Sequence, residues 1–527
     1  MPTNSKDPLF RLIKSLSKAE KRHFRLYANR TMSSQERKFL QLFDALDKLP
    51  DYDDEVLVDK LPGINKSNLP HLKRHLFKQL LTSLRLINVQ NNIELQVREQ
   101  LDFAHILYNK GLYMESLRIL ERIKETAEGH HQDILHLEIL EFQKFIEARH
   151  ITRSRQVNRK MDQLLVDSTN RSEVTLATSE LSNLNIQIQG HYIDQGHAKT
   201  PEEKKIVETL WQEMQPLPRR IPSVGTFFEK INRFQSHMWY NYIMLNFGAA
   251  GENAAEWVGL FRLNPQMKEK DPDLYMRGLY YMLVFQYLLN DYRFYNHYLK
   301  EFQDFIHTME ESFSPVSQYI SFQYFSLALL NEFFLSRSFE RGYEESKKIR
   351  ETLQKHDGLI DEHRQMLFYY KFAYLSFATG RFDEALDLLN SILDNRSFLR
   401  EDLHYNAHLL ELLCRYQLGQ FALLDYRITA LQRLLTKGRD VSQTQKRALT
   451  LLRQLASKPP AERTQVLEKG LSDLKALQHD PYEYKTLKYL DLLAWIKSQL
   501  QQTTVAGLYP KGENPARVKE ESLLQAK

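Results

Sequence analysis

Residues Tyr369 to Leu393 read YYKFAYLSFATGRFDEALDLLNSIL, and they decide the fold. Apolar residues recur at steps of three and four on both sides of Thr379-Gly380-Arg381, which is the period of a helix and not of a strand. Gly380 sits where a helix must end, because only glycine accepts positive φ without a Cβ penalty. Ala373 and Ala385 flank it as small residues, and two helices approach to about 8 Å only where side chains are small. Phe382, Leu389 and Ile392 supply the packing face of the second helix. The unit is a helix, a short turn and a second helix.

The outline recurs. AHILYNKGLYMESLRILERI places Ala104, Gly111, Tyr113, Ser116, Leu120 and Ile123 in the same relative positions. Weaker copies stand at Asn290-Asp291-Tyr292, at Arg337-Ser338-Phe339 with Gly342 in the small-residue place, and at Leu418-Gly419-Gln420-Phe421. The turns at 290, 337, 380 and 419 are 47, 43 and 39 residues apart. Helical spacing also appears at Ile93, Val97, Leu101, Ala104 and Leu107, and at Leu135, Ile139, Phe142 and Ile146.

These residues resemble the tetratricopeptide repeat, whose standard period of about 34 residues is shorter than the spacing here. The resemblance covers about half the chain. It implies an all-α fold, a right-handed α-solenoid of helical hairpins with a concave binding face, and a protein or peptide partner held along that face. Laid on this sequence, the repeat's register puts Leu367, Tyr370, Tyr374 and Phe377, and earlier Tyr280, Val284 and Tyr287, on the groove side. Rings of this kind offer large contact area at little rotamer cost; the competing expectation is that they pack neighbouring repeats together.

Composition agrees with a helical chain. Of 527 residues, 18 are Gly and 17 are Pro, scarce for a turn-rich β fold. The 42% of hydrophobic residues is too much for a disordered chain. Lys and Arg total 72 against 67 Asp and Glu, which alone implies no polyanion partner. A lone cysteine, Cys414, excludes an internal disulfide framework and fits a reducing compartment, so the cytoplasm is expected. The longest apolar run, Gly278 to Leu289, is too short to span a bilayer, and no membrane insertion is expected.

The expected organisation is a basic helical unit over residues 1–90, a repeat array over 91–456, a closing hairpin over 457–502 and a flexible tail over 503–527. The path between about 149 and 251 carries no readable repeat. In the first unit the opening SLSKAEKRHFRLYA resembles the start of uncharacterised bacterial helical-repeat proteins, a likeness that brings no activity with it. Ser17 and Glu20 form a capping box, and Pro62-Gly63 marks a turn before a helix from Ser67 to Asn88.

Residues 1–40 hold ten Lys or Arg against three acidic residues. Lys18, Lys21, Arg22 and Arg25 share one helix side, and His71, Arg74, Lys78 and Arg85 another, so two basic faces could contact phosphates. The segment from Asp53 to Asn88 has a helix-turn-helix outline, but Asp51, Asp53, Asp54, Glu55 and Asp59 would repel a nucleic-acid backbone. The competing expectation is an ordinary solvated face.

His404, His408 and Glu411, and likewise His191, Asp194 and His197, have metal-compatible spacing, yet the first set is expected on a wet helix face. No metal and no cofactor are expected. Phosphate-loop, dinucleotide, zinc-protease and nucleophile-elbow motifs are all absent from the sequence. The expectation is a non-enzymatic adaptor or scaffold; a nucleic-acid-binding regulator, and an enzyme of unrecognised chemistry, are the alternatives. Oligomeric state is left open.

Overall fold

The computed structural model describes residues 7–31, 37–90, 92–150, 161–213, 215, 225–355, 361–394, 401–437 and 441–509. Among them the regular structure is all helical, with twenty-five α-helices, three short 3-10 helices and no strand. No described helix is long and apolar enough to cross a membrane. The chain divides into two compact units, Met1–Ala177 with Pro218–Thr226, and Thr178–Leu217 with Phe227–Lys527.

In the first unit, α1 (Pro8–Ser15), α2 (Lys18–Thr31), α3 (Arg37–Lys48), α4 (Asp54–Lys60) and α5 (Leu69–Asn88) enclose Phe10, Ile13, Phe24, Phe43, Leu46 and Leu76. The capping box forms as expected: Ser17 N donates to Glu20 Oε2 at 2.7 Å, and Glu20 N to Ser17 Oγ at 3.2 Å. Next come α6 (Ile93–Asn109), α7 (Tyr113–Gly129) and α8 (Asp133–Arg149), packed through Val97, Ala104, Leu120, Ile123, Ile139 and Ile146. Where α6 and α7 cross, Ser116 Oγ donates to the Ala104 carbonyl at 2.8 Å, a contact only small residues permit.

The helix α9 (Met161–Gln195) runs for 35 residues and contains the division between the units. The second unit continues with α10 (Pro201–Glu213), α11 (Phe227–Ile243), α12 (Phe247–Leu263), α13 (Gln266–Lys270), α14 (Pro272–Leu289) and α15 (Tyr292–Met309). After these follow α16 (Pro315–Leu335), α17 (Phe339–Lys355), α18 (Glu362–Ala378), α19 (Phe382–Leu393), α20 (Glu401–Gln417) and α21 (Phe421–Lys437). From α14 to α21 each helix packs on the next in sequence, and α14, α18 and α20 also pack on the helix two further along. Much of the segment from 149 to 251, unreadable as repeats, is thus the long α9 and the α11–α12 pair; Pro216 to Pro222 lies outside the described residues.

One turn closes the helix pairs. Gly111, Gly380 and Gly419 take φ of +78°, +83° and +71°, and Asn290 and Arg337 take 58° and 55°. In each the next amide reaches back five residues, as in Arg381 N to Ser376 O at 2.8 Å and Ser338 N to Phe333 O at 3.1 Å. This is the Schellman closure. His131, Leu245 and Gln502 make the same turn without any glycine signal. Gly129, two residues before His131, does not carry the turn; it is the last residue of α7.

The C-terminal part departs from a simple hairpin. After α22 (Gln443–Ser457) and α23 (Pro460–Lys475), the second expected helix is broken into α24 (Pro481–Tyr489) and α25 (Leu492–Leu500). Asp491 sits at the break, caps α25 by accepting from Ala494 N at 2.9 Å, and pairs with Arg337. The first residues of the expected tail are packed: Val505 is buried and Ala506, Leu508 and Tyr509 lie against the same core; 510–527 lie outside the described residues.

Gly342 shows how tight the crossings are. A Cβ there would stand 2.9 Å from both Leu375 Cδ2 and Phe333 Cβ. Gly342→Ala gains about 1 kcal/mol of helix propensity but overpacks at a cost of roughly 1–3 kcal/mol. A lower urea-unfolding midpoint is expected, whereas Gly129→Ala, with open space around it, should leave the midpoint unchanged or slightly higher.

Candidate functional site

The positions assigned from the repeat register converge in the second unit. On α14, Tyr280, Val284 and Tyr287 step by four and three, and on α18, Leu367, Tyr370 and Tyr374 step by three and four, so each set shares a helix face. These six line one cavity of about 180 Å³. Phe377, the seventh, does not line it: the side chain is buried in the core, with its ring 5.7 Å from that of Phe382.

Other helices complete the wall. From α11 come Trp239 and Tyr242, from α16 Asn331 and Phe334, and from α18 also His363, Arg364 and Lys371. Lys371 is only 9% exposed; its Nζ donates to Asn331 Oδ1 at 2.6 Å and stands 5.0 Å from the Phe334 ring centre and 5.8 Å from that of Tyr287. Arg364 is held by Asp361, the N-cap of α18, and donates to Tyr324 OH at 3.2 Å. Burial pushes the phenols of Tyr280, Tyr287, Tyr370 and Tyr374 above their ordinary value of 10, so at neutral pH they are uncharged hydroxyls.

The remaining wall is the α24 end. Tyr287 OH donates to the Lys488 carbonyl at 2.9 Å and Tyr370 OH to the Tyr489 carbonyl at 3.1 Å. Lys488 Nζ reaches Asn290 Oδ1 at 2.6 Å. Glu483 accepts from Gln443 N at 2.7 Å and Thr444 N at 2.8 Å, capping α22, and Lys485 lies 3.6 Å from Asp402. The groove side named by the register, which the sequence left either open or packed, is covered at Tyr287 and Tyr370 by the chain's own α24, and what remains is an aromatic cavity.

The basic faces of the first unit are less free than the helix pattern suggested. Lys21 pairs with Asp47 at 2.7 Å, and Arg25 with Asp44 at 2.9 Å and Asp47 at 3.2 Å, all across to α3. Burial would raise the Asp47 carboxyl, but hydrogen bonds and charge from Lys21 and Arg25 outweigh it and hold it below its ordinary value. Arg85 lies 3.5 Å from Asp102. Lys18, Arg22, Arg74 and Lys78 are exposed.

Glu411 is not on a wet face. Its side chain is 2% exposed, accepts from Arg415 Nε at 2.8 Å, and has Arg427 Nε and His408 Nδ1 each at 3.6 Å. The cations come from α20 itself and from α21, a neighbour invisible on a single helical wheel. His197 is likewise buried, its Nδ1 2.8 Å from the Tyr242 carbonyl. Among the described residues no group of three His, Cys, Asp or Glu could hold a metal ion. Cys414 is buried, and burial pushes its thiol well above the ordinary value, away from the reactive thiolate.

No family model matches the chain, and no curated protein or solved structure shows significant similarity to it.

The Glu411 cluster has a defined pH response. Burial raises this carboxyl, but bonding to His408 and Arg415 and the charge of Arg427 outweigh it and leave its folded value below 4.5. Its stabilisation is complete above that unfolded value and is lost as pH falls through the folded one. Glu411→Gln should cost roughly 1–3 kcal/mol near neutrality, since it removes the buried charged partner of Arg415, while the half-exposed Arg427 keeps its access to water. Urea unfolding at successive pH values should show this difference shrinking toward acid.

Proposed function

We propose that the protein is a non-enzymatic adaptor, a right-handed α-solenoid of tetratricopeptide-like pairs, whose second unit binds a protein or peptide partner at the aromatic cavity. One observation carries the reading: six of the seven residues chosen from a repeat register line a single cavity. The recurrent left-handed turn, the small residues at helix crossings and the packing of each helix on the next support the solenoid part of it. Large neutral rings around a modest cavity suit capture of one apolar or aromatic side chain with its flanking backbone. A buried, unreactive Cys414 suits a reducing cytoplasm.

The second reading, nucleic-acid binding by the first unit, draws on Lys18, Arg22, Arg74 and Lys78, which remain exposed. It loses Lys21 and Arg25 to α3 carboxylates, which lowers the number of cations free to displace counterions.

One experiment separates them. The tagged chain is purified from its own cells with and without nuclease, beside two variants. Val284→Gln with Leu367→Gln, both half-buried in the cavity wall, should reduce a stoichiometric, nuclease-resistant partner by about tenfold or more, the scale of a lost interface anchor. Charge reversal at Lys18, Arg22, Arg74 and Lys78 should leave it in place. The opposite pattern, with nucleic acid lost on charge reversal, would overturn the adaptor reading.

A further inference from the structure

The cavity's charge and its buried hydroxyl define what enters it. Its charged lining residues are Arg364, Lys371 and Lys488, and among the described residues that line it none is Asp or Glu. Arg364, Leu367, Lys371 and Tyr374 step by three, four and three, so the two α18 cations, an apolar residue and a phenol lie along one helix face. Of these cations Arg364 is paired with Asp361, while Asp491 pairs with Arg337 and Asp402 lies beside Lys485.

Tyr374 adds an independent sign. It is 4% exposed, and among the described residues its hydroxyl has no hydrogen-bond partner. A buried hydroxyl left in that state costs about 1–3 kcal/mol, a cost that a bound oxygen or an ordered water would relieve. Lys371, three residues earlier on the same helix, is buried against an amide oxygen and two ring faces. Both residues line the cavity one helical turn apart, and a charge-assisted bond from Lys371 to an oxyanion in so apolar a site is stronger than its counterpart in water.

We propose that the cavity binds a small aromatic carboxylate, with the ring among Tyr280, Tyr287 and Trp239 and the carboxylate at Lys371 and Tyr374. At about 180 Å³ the space is below the ~300–1,000 Å³ of drug-sized pockets, which limits the occupant to one or two fused rings. The proposal rests on the reading that this cavity is a binding site and gives it a small-molecule occupant where that reading places a partner's side chain.

The test is calorimetry on the full chain with indole-3-acetate and its neutral isostere indole-3-acetamide. The acid should bind at least about tenfold more tightly, the equivalent of one charge-assisted bond. Lys371→Met should abolish that preference and Lys371→Arg should retain it. Tyr374→Phe, which removes one oxygen and leaves packing intact, should weaken the acid roughly three- to tenfold and the amide less. Equal affinity for acid and amide, or no binding of either at about 1 mM, would overturn the proposal. Loss of the acid preference with the nuclease-resistant partner still released by Val284→Gln and Leu367→Gln leaves the adaptor reading standing. Acid binding without any such partner does the reverse.

Discussion

A single backbone constraint recurs through the chain. To fold one helix back on its predecessor within two or three residues, one residue must enter the left-handed region so that the following amide can reach a carbonyl five positions earlier. The closure satisfies carbonyls that would otherwise be stranded at the helix end, and it sets the angle at which the second helix leaves. Ser116 can then reach Ala104, and Gly342 can lie against Phe333 and Leu375, because the turn has already aimed the helices at each other. Pair upon pair then buries its faces on its neighbours.

That constraint also explains which parts of the fold were legible. Gly111, Gly380 and Gly419 announced their turns because glycine meets the left-handed region at no steric cost, and Asn290 is the next best residue there. His131, Leu245 and Gln502 take the same conformation against their own preference, held by the packed helices on either side, so no local signal marks them. The same division holds at the cavity. Tyr280, Val284, Tyr287, Leu367, Tyr370 and Tyr374 were accessible to helical periodicity because each set lies on one face. Asn331, Lys371 and the closing helix were not, since their contacts join residues 40 to 201 apart in the chain. Lys21, Arg25 and Glu411 misled for a related reason: a helical wheel shows a residue's own helix and not the oppositely charged neighbour across from it.

Aromatic residues serve two purposes in the second unit. Tyr275 and Tyr295 are wholly buried, with hydroxyls bonded to Glu301 at 2.7 Å and to the Ala328 carbonyl at 2.6 Å, and belong to the core. Tyr287 and Tyr370 spend their hydroxyls on the C-terminal helix while their rings form a wall. A phenol can do both because its apolar body and polar tip are separable. Substituting phenylalanine at these two positions would preserve the wall and loosen what closes it.

The closing helix carries a consequence for how the protein is made. Tyr287 meets its partner carbonyl 201 residues later in the chain. At ribosomal speeds of about 5–20 residues per second, that interval is on the order of 10–40 s, during which the early pairs have emerged and their tyrosine face has no cover. Closing so distant a contact is also slow in its own right, because chain entropy must be surrendered before the contact forms. The nascent protein therefore displays a tyrosine-rich face before it can shield it, and whatever occupies that face first, whether a chaperone or a neighbouring nascent chain, competes with the molecule's own α24.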